Sequence, residues 1–270
     1  MLHHQDPYDA HTGAVDTLAA AGVEPPETWA QVQNNFLNYT MLQAPTLTTL
    51  SNAIIDGTDE STIAGLRAQA LAEATALPPA EAQVTASVRA AVLARLRDIY
   101  APHAQPNYQQ LAESFTNTAT KLAAAMRVID PDTEPDQIVT ADSKCRTAWS
   151  DAQQLAAQLN ATLPALVAAA TLAGIRANTD EVLIPLTADT SGLHRRQVWE
   201  AWNTTDGRTG RWGALIRLGA TIRAADLDNI TAYRKAKPLE ERHQEVGRGQ
   251  WRRTVIDPED SESSEAQPIS

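Results

Sequence analysis

The chain has 270 residues, a net charge of −11 and a single cysteine, Cys145, which excludes an intrachain disulfide and any cysteine-based zinc site. Its length allows one substantial core or two modest ones. Alanine supplies 48 residues and aromatics only 5%; alanine loses least on entering a helix, so the composition predicts an all-α fold and argues against β-rich classes.

Taken in chain order, the punctuation divides an N-terminal body into helices. Asp9 to Ala21 forms a first helix that Gly22 ends, and Pro25-Pro26-Glu27 opens a second that runs to about Leu42. A third begins near Asn52 or after Gly57, with Asp59 and Glu60 in its first turn, and Pro78-Pro79 stops it at Leu77. From Glu81 to Tyr100, Val84, Val88, Val92, Leu96 and Ile99 mark one helical face, which Pro102 and Pro106 close. Asn107 to Ile129 carries a near-heptad stripe of Leu111, Phe115, Thr118, Leu122, Met126 and Ile129. An acidic loop, residues 130–136, leads to a helix with Trp149, Ala152, Leu155, Ala156 and Leu159 on one side, which Pro164 kinks or breaks. Cys145 in this helix reads as a small buried residue.

Glu181 to Leu186 is the one strand-like run, but Pro185 removes a ladder donor and no partner strand is evident, so residues 178–190 read as an extended connector. Beyond it the charge changes sign. Residues 1–190 carry net −12, residues 191–256 net +6 and residues 257–270 net −5, and the middle block holds 13 of the 22 basic residues and four of the six tryptophans. Such a block either meets an acidic partner or packs on the chain's own acidic body. Its pattern predicts a helix near Leu193 to Asn203, a longer one from Arg211 to Ala236 with Trp212 facing inward, and a charged turn at Leu239 to Glu245. Residues 247–270 are expected to be disordered, with an acidic end able to fold back on the basic block.

The expected architecture is therefore an elongated or irregular bundle of about seven to nine helices. It comprises an acidic body (1–177), a connector (178–190), a basic helical module (191–246) and an acidic tail (247–270). Candidate contact residues are Arg195, Arg196, Trp199, Trp202, Arg208, Arg211, Arg252 and Arg253, because arginine neutralises phosphate or carboxylate while tryptophan stacks and anchors interfaces. These arginines are interleaved with Glu200, Asp226, Asp228, Glu240, Glu241 and Glu245 and form no single row, which favours a protein partner or another copy of the chain over nucleic acid. Asp226 reads as a local ion pair or a helix break.

His3, His4 and His11 with Asp6 and Asp9 match no closed metal site, no catalytic residues are assigned, and no cofactor is expected. Phosphate-loop, dinucleotide, zinc-protease and nucleophile-elbow motifs do not occur. The function expected is a non-enzymatic helical structural or assembly protein; the alternatives are a nucleic-acid-binding accessory protein and an enzyme with an unrecognised site. The excess of arginine and alanine, both with GC-rich codons, points to a GC-rich genome such as that of an actinobacterium or its phage, and hence to a phage or prophage gene. The opening residues lack signal-peptide character, and the longest near-apolar run, Leu163 to Ile175, is shorter than the roughly 20 residues a span needs. A cytoplasmic or virion-associated location without a membrane is expected.

Overall fold

The computed structural model describes residues 6–40, 46–75, 78–247 and 250–260. Helix dominates them, as the composition predicts. The elements are α1 (Pro7–Ala20), α2 (Glu27–Thr40), α3 (Thr46–Ile55), α4 (Glu60–Thr75), α5 (Pro78–Val128), α6 (Pro135–Thr140), α7 (Ser143–Leu172), α8 (Asp180–Thr187), β1 (Ala188–Asp189), α9 (Arg195–Asn203), α10 (Gly210–Leu218), β2 (Thr221–Ile222), β3 (Glu240–Gly247) and β4 (Gln250–Ile256). They fall into two compact units, residues 1–19 with 24–102 and residues 20–23 with 103–270. Residues 178–190 lie inside the second.

In the first unit, α1, α2 and the N-terminal half of α5 enclose Tyr8, Val15, Leu18, Trp29, Phe36, Leu96 and Tyr100. The stripe expected on α5 is shifted: Leu93, Leu96 and Tyr100 are buried, whereas Val84 is 57% exposed. The ring of Tyr8 lies 5.0 Å from that of Phe36, and Arg89 sits 4.8 Å over Tyr8 while pairing with Asp6 and Asp9. His11, expected only as a doubtful metal ligand, is a core residue. Trp29 Nε1 donates to His11 Nε2 at 3.4 Å, and Tyr100 meets the imidazole edge-on at 6.1 Å. His3 and His4 lie outside the described residues.

In the second unit, the C-terminal half of α5 packs its Leu111, Phe115, Ala119, Leu122 and Ala125 face into a core shared with Ala152, Ala156, Leu159 and Leu166 of α7. Alanine, as Ala119 and Ala125, therefore stands in the buried stripe where Thr118 and Met126 were expected. Pro102 and Pro106, expected to close a helix, do not, and at Pro164, where a kink or a break was expected, there is no break. Pro102 and Pro106 lie within the 51-residue α5, and Pro164 lies within the 30-residue α7. All three occupy exposed positions, so water reaches the carbonyls that lose an amide partner.

Pro185 is accommodated differently. Residues 180–187 are helix α8, not an extended connector, with Asp180 and Glu181 in the first turn. Pro185 deprives the Glu181 carbonyl of its usual i+4 donor, and the amide of Tyr233 donates to that oxygen at 2.6 Å instead. The donor is available because the expected helix from Arg211 to Ala236 stops at Leu218. Gly219 there adopts φ +102°, a left-handed cap that an L-residue resists. Residues 221–236 then run back over α8 as a strap, through the β1–β2 bridge (Ala188 opposite Ile222) and a 3-10 turn at Leu227–Asn229 that Asp226 caps. Asp226 thus marks a helix break. Tyr108 Oη donates to the Ala225 carbonyl at 2.6 Å and fixes the strap on α5.

By length and composition α7 could cross a bilayer, contrary to the expectation from its longest apolar run. Ala152, Leu159, Leu166 and Ala169 on it are fully buried within the second unit, and 39% of its apolar window is buried.

Burial, reinforced by Arg97, lowers His11 to about 4, against an ordinary value of 6.5. The unfolded chain binds the extra proton, so the contribution of neutral His11 is complete above pH 6.5 and is lost as pH falls towards 4. Thermal unfolding should therefore show up to roughly 3 kcal/mol of acid-labile stability in this window, flattened in His11→Gln; an unchanged slope in the variant would contradict the assignment.

Candidate functional site

The basic block meets the chain's own acids. Four tryptophans of the second unit, Trp149, Trp199, Trp202 and Trp212, each donate an indole N–H internally. Trp212 is fully buried and donates to Asn160 Oδ1 at 2.8 Å. Its ring meets Phe115 at 5.6 Å and Trp202 at 6.0 Å, both edge-on, where a positive ring edge meets a negative face. Trp202, expected as a contact residue, is 1% exposed and donates to Asp180 Oδ1 at 2.9 Å. Arg211 lies 4.6 Å over its ring. Trp199 is half-buried and donates to the Arg234 carbonyl.

The acidic loop 130–136 forms one counter-surface. Arg208 covers the Trp149 ring at 3.1 Å and donates to Gln153 and to the Pro131 carbonyl, while its backbone amide donates to Asp132 Oδ1 at 2.8 Å. Arg217 pairs with Asp130 at 2.8 Å and with Asp132. Gly207, at φ +74°, lies so close to Asp132 that a Cβ would stand 2.7 Å from its carboxylate.

The second counter-surface is the segment expected to be disordered. Residues 250–256 form β4, paired antiparallel with β3 from Glu240↔Ile256 to Gly247↔Gln250, so the charged turn expected at Leu239 to Glu245 is a strand. The following residues return to α9. Glu259, only 3% exposed, pairs with Arg195 at 2.9 Å and accepts from the Lys237 amide at 2.9 Å. Arg196 grips Asp257 with two nitrogens and also donates to the Lys237 carbonyl. His194 lies 3.1 Å from Asp260. Lys237 precedes β3 and Asp257 follows β4, and Glu240 lies opposite Ile256, so these contacts clamp one end of the two-stranded ribbon, the end away from its turn, onto α9. Arg196 and the backbone bond to Glu259 hold the Asp257 carboxyl down at about 2. The anchor is therefore ionised at neutral pH. Residues 248–249 and 261–270, which complete the expected tail, lie outside the described residues.

Six of the eight predicted contact residues thus serve internal packing: Arg195, Arg196, Trp199, Trp202, Arg208 and Arg211. The remaining two, Arg252 and Arg253, are exposed on β4, and Arg253 pairs with Glu241 across the ribbon. The sequence reading missed the ribbon because Glu240 to Glu245 has no hydrophobic alternation; Trp251, Thr254, Val255 and Ile256 were the available signal.

Concavities also open on this unit. An open groove of about 780 Å³ between α5 and α7 is lined by Lys121, Ala124, Ala148, Asp151 and Leu155. A polar cleft of about 340 Å³ holds Asp189, Arg223, Asp226 and Asn229. Ser191 and Arg223 hold Asp189 at about 2, which makes it a fixed anion rather than a proton acceptor near neutral pH. Among the described residues no three His, Cys, Asp or Glu side chains converge as metal ligands. Cys145 is half-buried, and its thiol is raised by Asp142, away from thiolate chemistry.

Gly207→Ala should destabilise the second unit by about 1–3 kcal/mol, since it combines a left-handed alanine with a clash against Asp132. Adding Asp132→Ala should leave the backbone term while removing the steric one. Denaturant titration of the three proteins checks this, and a neutral Gly207→Ala would contradict the geometry. No protein-family model, curated protein or solved structure matches this chain.

Proposed function

We propose that the protein is a non-enzymatic helical structural or assembly component, of phage or prophage type and cytoplasmic or virion-associated, that docks on a protein partner through its C-terminal module. One observation carries this reading: among the described residues β3 and β4 form a sheet of two strands, so each keeps an outer edge of backbone donors and acceptors. An isolated two-stranded hairpin is marginal in water, and strand addition from a partner completes it. The internal use of Arg195, Arg196 and Arg208 moves the docking surface from the helices to this ribbon.

The exposed side chains of Arg242 (70%) and Arg253 (61%) support a second reading, a two-stranded ribbon lying in a nucleic-acid groove. Glu240 and Glu241 on the same ribbon oppose it, because each would approach phosphate. Fluorescence anisotropy of the full chain with labelled duplex and single-stranded DNA and RNA separates the two. The docking reading expects no binding that falls steeply with salt. Tight, salt-sensitive binding that R242E/R252E/R253E abolishes would overturn it in favour of nucleic acid.

A further inference from the structure

We infer that the partner of the ribbon is a second copy of this chain, with β4 of one copy pairing along β3 of the next. The inference rests on the docking reading above and supplies its occupant. The two strands have opposite charge: β3 holds three glutamates and one arginine, whereas β4 holds two arginines and no acid. Pairing β3 with β3 sets acid against acid, and pairing β4 with β4 sets base against base; like charges opposed across strands are destabilising. Only the unlike combination satisfies both edges.

The cross-strand geometry already exists within the ribbon. Arg253 pairs with Glu241, two positions along from its direct partner His243. A neighbouring copy in the same register presents its own Glu241 to the outer side of Arg253, and its Gln244 opposite Arg252. The clamp of Asp257 and Glu259 on Arg196 and Arg195 contributes too, because it fixes the ribbon at the end where β3 begins and β4 ends and lowers the ordering cost of association. Since the two edges differ, the contact is heterologous, and each added copy leaves one β3 and one β4 edge open.

The test uses full-length protein in sedimentation equilibrium across a concentration series. Wild type should associate reversibly, and the association should weaken several-fold between about 50 mM and 500 mM salt. R252E/R253E makes both edges acidic and E240R/E241R makes both basic; each alone should associate about tenfold or more weakly. An equimolar mixture of the two should recover association. The chain carrying all four changes should also recover it, since that exchange rebuilds the cross-strand pair with reversed sign and guards against variants that merely unfold the ribbon.

A wild type that stays monomeric, or a single-edge variant that associates as well as wild type, overturns the second-copy assignment. The monomeric result leaves docking on a different protein standing, whereas the anisotropy experiment decides docking itself.

Discussion

A carboxylate as enclosed as Glu259 has to face a cation, and in this protein the cation is Arg195 at the start of α9. Arg196 repeats the arrangement on Asp257. Together they tie a polar C-terminal stretch to the fold, because the start of β3 and the end of β4 are held side by side on one helix. The buried carboxylate also accepts from the Lys237 amide, so the acid is hydrogen-bonded as well as neutralised. The same principle operates at the acidic loop, where Asp130 and Asp132 hold Arg217 and Asp132 accepts from the backbone amide of Arg208, whose side chain covers Trp149.

This explains which parts of the chain were legible in its sequence. Helices with a clear apolar stripe, such as the second half of α5, appear where the spacing places them, and Trp212 points inward as its helical position requires. The division of charge was equally visible, and one of its two readings, that the basic block packs on the chain's own acids, describes the described contacts. What sequence alone did not yield are features set by distant partners. Residues 178–190 read as an extended connector because Glu181 to Leu186 is strand-like in composition, and nothing local indicates that Tyr233 will supply the donor that Pro185 removes from a helix. Residues 250–260 looked disordered because their composition is polar, while the ion pairs that order them lie about sixty positions away.

The proposed role follows from what these internal pairs leave over. Arginines tied to buried or half-buried acids cannot also meet a partner without leaving those acids uncompensated, a change that costs several kcal/mol. The strands they anchor, by contrast, keep open edges of opposite charge, a combination suited to repeated contact between identical units. In the proposed role, anchoring and docking are separate tasks, given to α9 and to the ribbon.

The most direct test of this account is a double-mutant cycle on Arg195 and Glu259, using Arg195→Met, Glu259→Gln and the pair, read by amide exchange of residues 240–256. The account predicts that each single change speeds exchange throughout the ribbon and that the double change costs much less than the sum, with a coupling of about 2–3 kcal/mol. Additive effects, or ribbon exchange that is indifferent to Arg195, would contradict it.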